Sequence, residues 1–179
     1  MAGTLSVQKI QGLATSATPT VVEVSSGHVL SQPGAVIQFA SHKWNTQTTS
    51  TSTSYADITG SSFNFTPKLA TSKLYIQASC SMTLTVSSNA HYASYKIVHD
   101  GTDVDAPGDR YEVGMSATGA SALNNYMRIH KSGYINASNT NARAIKLQVQ
   151  LNDNANSGQV RFNVNTHFYS YIDVMEIAQ

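Results

Sequence analysis

Residues 73–86 read KLYIQASCSMTLTV, and no other stretch restricts the fold as tightly. Leu74, Ile76, Ala78, Cys80, Met82, Leu84 and Val86 alternate strictly with Tyr75, Gln77, Ser79, Ser81, Thr83 and Thr85. Side chains of an extended chain point to opposite faces in turn, so this spacing predicts a long strand with one buried face. A helix would scatter the same residues around its circumference.

The alternation returns in AIKLQVQL (144–151), with Ile145, Leu147, Val149 and Leu151 inward. It returns again in QVRFNVNTHF (159–168), with Val160, Phe162, Val164 and Phe168 inward. The turn-rich NDNANSG lies between them, so the pair reads as an antiparallel hairpin. Further strands are expected at Gly34–His42, Ser62–Thr66, Ala90–His99, Arg110–Met115, Asn125–Lys131 and Tyr169–Ile177. Turn signals stand at Asp100-Gly101, Ala106-Pro107-Gly108, Lys131-Ser132-Gly133 and Ala137–Asn141. TGASALNNYM (118–127) has room for one short helical turn at most. Short strands at this spacing predict an all-β fold, an antiparallel β-sandwich or jelly roll.

Two polar regions decide the domain count. Asn45 to Ser54 carries only Asn, Gln, Thr and Ser, but strand patterns flank it on both sides. Threonine suits an exposed strand, so the run reads as a polar outer or edge strand of one domain, closed by Tyr55 and Ile58. Residues 1–34 differ, with scattered apolar residues and no strand long enough to complete a sheet. Leu5, Val7, Ile10, Leu13, Val21, Val22 and Val24 are too many apolar side chains for a solvated tail. They are expected to attach the chain to other subunits or another protein. The division is an extended N-terminal arm over 1–34 and a sandwich head over 35–179.

Composition narrows the function classes. Charged residues make up 12% and the net charge is +1, against about 25% charged in an average globular chain. With no Lys/Arg cluster to neutralise phosphates, nucleic-acid binding is not expected. One cysteine excludes an intramolecular disulfide, and Cys80 in its alternating run reads as a buried, inert thiol. MAGTLSVQKIQGL lacks the basic start and apolar core of a signal peptide, and no stretch approaches the ~20 apolar residues that span a bilayer. The expectation is a soluble chain made in a cytosol, without membrane insertion.

Residues 51–84, TSTSYADITGSSFNFTPKLATSKLYIQASCSMTL, resemble a pattern in tailed-phage virion proteins, particularly those of cyanophages and marine phages. There, a Thr/Ser-rich run leads into Tyr-x-Asp-Ile-Thr-Gly, a short strand ending in Thr-Pro, and a Thr-Ser-Lys-Leu step that opens a long alternating strand. The final YIDVMEIAQ is similar to the closing strand of those proteins, SSGHVLSQPGAVIQF to the link before their head, and MAGTL to their opening. The resemblance touches about two thirds of the chain. It implies a β-sandwich head, usually trimeric, on a slender N-terminal stem or arm. It also implies a virion role without catalytic residues: a short fibre or appendage assembled in the bacterial cytoplasm, with itself (as a homotrimer) and other virion proteins as partners. A capsid decoration (cement) protein and a carbohydrate-binding receptor module are the alternatives.

Few constellations carry chemistry. Asp100, Asp103, Asp105 and Asp109 lie close together, but calcium-loop spacing and its bidentate Glu are missing, and Asp100-Gly101 is a turn signal in its own right. The histidines, His28, His42, His91, His99, His130 and His167, show no zinc spacing, although one near a three-fold axis would be repeated around it. No Gly-x-Ser-x-Gly elbow is present, so neither catalysis nor a cofactor is expected. Trp44, Tyr55, Tyr92, Tyr95, Tyr111, Tyr126 and Tyr134 offer rings that stack on sugars, or pack across strands. Among these, Trp44, Tyr111 and Tyr134 are the candidate contacts for a host surface glycan.

Overall fold

The alternating strand lies inside a sheet and is paired along both edges. In the computed structural model, which describes residues 32–86, 89–104, 113–117, 123–152, 158–164 and 169–179, the described residues form β1 (Val36–Trp44), β2 (Thr48–Ser50), β3 (Ala56–Asp57), β4 (Phe63–Phe65), β5 (Lys73–Val86), β6 (Asn89–His99), β7 (Thr102–Asp103), β8 (Val113–Ala117), β9 (Leu123–Asn136), β10 (Arg143–Leu151), β11 (Gln159–Phe162) and β12 (Ser170–Ile177). All pairings are antiparallel. The expected all-β sandwich of two antiparallel sheets is what the chain forms.

The first sheet runs β1–β12–β5–β11–β2, with β9 also paired to β5. Along one edge of β5, β12 takes Lys73–Ser79 and β11 takes Met82–Thr85; β9 pairs with all of Lys73–Val86. β11 and β12 are therefore one line broken at Asn163, which has a φ of 51°. Asparagine tolerates this left-handed backbone better than most residues. Here its side chain also accepts from Ser170 Oγ at 2.7 Å while its N–H donates to Ser81 O at 3.1 Å. The second sheet runs β3–β10–β6–β7, with β4 also beside β10 and β8 also beside β6.

The core lies between the sheets. Leu74, Ile76, Ala78, Cys80, Met82 and Leu84 face it from the first sheet, and Ile145, Leu147, Val149 and Leu151 from the second; all are at most 3% exposed. Burying each large aliphatic side chain contributes about 1.5–3 kcal/mol. The Asp100-Gly101 turn behaves as expected: φ values of 49° and 82° give the left-handed pair that a two-residue hairpin needs, and His99 pairs with Thr102.

Four expectations are corrected. The 144–151 and 159–168 segments are not a hairpin. Each edge of β10 is occupied, by β6 and by β3 with β4, while β11 pairs with β5 and β2. The connection thus passes from one sheet to the other, because two strands with one apolar face each satisfy it as well face to face as side by side. Lys131-Ser132-Gly133 is no turn but the interior of β9, where Gly133 pairs with Ile76. Leu123–Met127, given as room for a helical turn, is the start of the same strand. The inward set of the last alternating run ends at Phe162; Val164 is half-buried, and Phe168 lies outside the described residues.

The polar run contributes β2, the end strand of the first sheet on the β11 side, then crosses to the second sheet as β3. Ile58, just beyond, is 2% exposed. Gly60, between β3 and β4, has a φ of 82°; a Cβ there would stand 3.2 Å from Trp44 Cδ1 and 3.1 Å from Thr46 Oγ1. The arm residues Leu5, Val7, Ile10, Leu13, Val21, Val22 and Val24 lie outside the described residues.

One end of the interior is closed by a carboxylate. Glu176 follows Ile172 and Val174 on the inward face of β12 and is fully buried. It accepts from the backbone N–H of Lys68 (2.8 and 2.9 Å) and Leu69 (2.8 Å), from Ser72 Oγ (2.6 Å) and from Gln38 Nε2 (2.8 Å). These donors tie the turn that launches β5 to the last strand and the first. Glu176→Ala would strand buried donors, each costing about 1–3 kcal/mol. A fall in urea-unfolding free energy of about 3–5 kcal/mol is expected, against about 1 kcal/mol for half-buried Met175→Ala. Equal midpoints for the two variants would refute this role.

Candidate functional site

The inward-facing positions are filled by packing, so the outer face of the first sheet is where this head has side chains to spare. Register places Phe39 opposite Met175, Met175 opposite Tyr75 and Tyr75 opposite Tyr134, an apolar row across four neighbouring strands. Phe39 and Tyr134 are 58% and 60% exposed, and the rings of Tyr75 and Tyr134 are tilted with centroids 4.9 Å apart. Beside this row runs a polar one, Ser41, Asp173, Gln77 and Ser132, in which Ser41 Oγ donates to Asp173 Oδ1. Then come Lys43, Tyr171, Ser79 and His130. Lys43 Nζ sits 3.6 Å from the centre of the Tyr169 ring, a cation–π contact. Shallow depressions follow β9, one of about 290 Å³ lined by Ser81, Tyr126, Met127 and Arg128, another of about 230 Å³ lined by Gln77, His130, Lys131 and Ser132.

Of the residues proposed for glycan contact, Tyr134 stands on this face. Trp44 is 5% exposed and faces the core, so it offers no ring to a ligand. Its position at the end of β1 puts it on the same face as Ala40 and His42, and His42 stacks on it and on Phe63. Tyr111 lies outside the described residues. Tyr95 is also in the core, with its hydroxyl reaching His130 O at 3.5 Å. Phe39, Met175 and Tyr75 were not legible as partners of Tyr134, because neighbourhood across strands depends on register, and register is not written in any one strand.

Two residues of the acidic cluster, Asp100 and Asp103, form ion pairs. Asp100 meets Arg143 at 3.1 Å and Asp103 meets Lys96 at 2.8 Å; Asp105 and Asp109 lie outside the described residues. Among the described residues no three His, Cys, Asp or Glu come together as a metal site. Asp57, bonded by Lys146 at 2.7 Å and by Gln148, has its carboxyl held below the usual carboxylate range, chiefly by the Lys146 hydrogen bond. His42 bonds Gly60 O at 2.8 Å, and His130 is exposed on the outer face. His28 and His167, and the side chain of His91, are outside the described residues.

Two buried groups have shifted proton affinities. Burial pushes the Cys80 thiol up to about 12, so this sulfur stays protonated and inert, as its place in the alternating run predicted. His99, 1% exposed at the end of β6, has its pKa lowered by burial and then by Arg143, and its Nε2 has no hydrogen-bond partner among the described residues. The folded state therefore holds His99 neutral. Its contribution is intact above the unfolded histidine value of 6.5 and is lost as pH falls through it. Urea midpoints at pH 7 and pH 5 are expected to differ more for the native protein than for His99→Leu. An equal acid sensitivity in the two proteins would remove His99 from the account.

No protein-family model matches the chain, and no curated protein does. Among solved structures it is similar to the infectious bursal disease virus Gx strain, at 17% identity over 88% of this chain and 42% of that one, with a TM-score of 0.37. T=1 particles derived from infectious bursal virus align at 14% identity over 93% of this chain and 40% of that chain, with a TM-score of 0.40. The VP2 subviral particle of infectious bursal disease virus aligns at 16% identity over 93% and 42%, with a TM-score of 0.35. The chain thus spans 40–42% of the length of these structures' chains.

Proposed function

We propose that this chain is a non-enzymatic structural component of a virus particle: a short appendage attached through its N-terminal segment, with the sandwich head facing outward. The observation that carries this reading is where the residues of the tailed-phage resemblance meet in space. Glu176 belongs to the closing Val-Met-Glu-Ile-Ala strand, and its donors Lys68, Leu69 and Ser72 belong to the segment from Thr-Pro to Thr-Ser-Lys-Leu. Tyr-x-Asp-Ile-Thr-Gly holds β3, the first strand after the chain crosses between the sheets, with buried Ile58 and with Gly60 against Trp44. Motifs more than a hundred residues apart thus form one joint. Low-complexity likeness between unrelated chains would not be expected to select the two halves of a buried hydrogen-bonded contact. A shared head architecture would.

The head's surface fits the same reading. One outer row is Ser41, Asp173, Gln77 and Ser132, and Asp57, Asp100 and Asp103 are ion-paired with Lys146, Arg143 and Lys96. The test is mass spectrometry of purified particles, with gold-labelled antibody to the head in electron micrographs. Label at a few tail sites is expected. Label at every lattice interstice of the shell would make the chain a decoration protein instead, and absence from the particles would end the proposal.

A further inference from the structure

β9 presents an edge that natural sheets rarely leave open. It pairs with β5 along its whole length without a bulge, and with no second strand among the described residues. Antiparallel pairing sends the N–H and C=O of alternate residues to opposite sides. The ladder continues through Ala137 N–H to Ser72 O at 2.9 Å, so the odd-numbered residues of β9 serve β5. The even-numbered ones, Asn124 to Asn136, turn their backbone groups outward. The Tyr95 hydroxyl, 3.5 Å from His130 O, marks that direction and leaves the second lone pair of the carbonyl oxygen available. An extended strand is the chemistry that satisfies such a row.

Edges of this kind are usually blunted by charge, proline or bulges. β9 has no proline, and its cations are drawn away from the edge. Arg128 lies back over its own sheet, donating from Nε to Ser79 Oγ at 2.7 Å and from Nη2 to Tyr169 O at 3.2 Å. Lys131 points to the interior side and donates to Tyr95 O at 2.9 Å. The large side chains that stand outward on the face include two tyrosines, Tyr126 and Tyr134, 65% and 60% exposed. They stand four residues to either side of His130 on the same face.

From this arrangement we infer that β9 is a self-pairing edge: two copies of this chain join antiparallel along β9, around a two-fold axis at His130, into one continuous sheet. This register gives nearly full overlap of the strand. It sets Tyr126 against Tyr134 of the second copy, twice, and Arg128 against Ser132, twice, with no Lys or Arg opposite another. Aromatic pairs opposite each other favour such pairing and like charges oppose it. Shifting the centre to Arg128 or Lys131 would put that cation opposite itself. The depression beside Tyr126 and Arg128 gives the incoming Tyr134 ring a place to rest. A two-fold pairing of this kind differs from the three-fold assembly implied by the phage resemblance, in which the β9 edges could not meet one another. It stands independently of the proposed virion role.

The test is a cysteine at the axis. Residues facing each other in a hydrogen-bonded antiparallel pair have Cα atoms about 5.5 Å apart, within disulfide range. His130→Cys under mild oxidation is expected to give a disulfide-linked dimer, and Cys80, buried and protonated, should not compete. Tyr126→Cys alone should stay uncrosslinked, yet join Tyr134→Cys when the two proteins are mixed. Ser132→Pro removes an outward N–H that β5 does not use, so it should give a folded monomer by circular dichroism and light scattering. A native protein that is monomeric or trimeric at tens of micromolar would overturn the inference. So would a folded His130→Cys protein that does not cross-link, or a dimer that persists in folded Ser132→Pro.

Discussion

A strand as long as β5, with one face wholly apolar, leaves the chain little freedom. Its apolar face must be covered by a second layer, and its backbone groups must be paired along both edges. The fold meets the first demand with Ile145, Leu147, Val149 and Leu151 from the opposite sheet. It meets the second unequally. β9 covers one edge in a single piece, whereas the other is shared between β12 and β11 with a break at Asn163. That inequality shapes the molecule, because the unbroken partner is the one with its far side unpaired among the described residues.

The broken edges show how polar groups are accommodated where alternation stops. Asn163 leaves the strand geometry and then satisfies Ser81, Ser170 and Thr46 with its own backbone and side chain. At the opposite end Glu176 occupies an inward position that a hydrophobic residue would fill in a simpler sandwich. A buried carboxylate is tolerated only when its lone pairs are taken, and five donor contacts from four residues take them. The ends of the core are thus closed by hydrogen bonds and its middle by apolar contact. The short polar motifs at 66–74 and 174–178 lie where directional bonds, not bulk hydrophobicity, set the path of the chain.

Outside the core, neighbourhoods form that no local pattern announces. The row of Phe39, Met175, Tyr75 and Tyr134 draws on four separate strands, and the spacing of Tyr126 and Tyr134 about His130 matters only once β9 is known to lie at an edge. Conversely, Trp44, a candidate glycan contact by sequence, is a core residue, since β1 turns the face bearing Ala40, His42 and Trp44 toward the second sheet.

By itself the sequence determined the class of fold, most of the strands and the inert state of Cys80, because period-two alternation is a local property set by backbone geometry. It also determined that Asp100-Gly101 is a tight turn, since few residue pairs accept two successive left-handed conformations. Only the tertiary structure decided which strands are neighbours. The connection at 152–158 suits a hairpin or a crossing between sheets equally well, and the choice depends on edges that β6, β3 and β4 had already filled. The partners of Glu176, the burial of Trp44 and the edge of β9 left unpaired among the described residues have the same origin. Each is a relation between distant segments, fixed by register and by competition for edges, quantities that exist only when the whole sandwich has assembled.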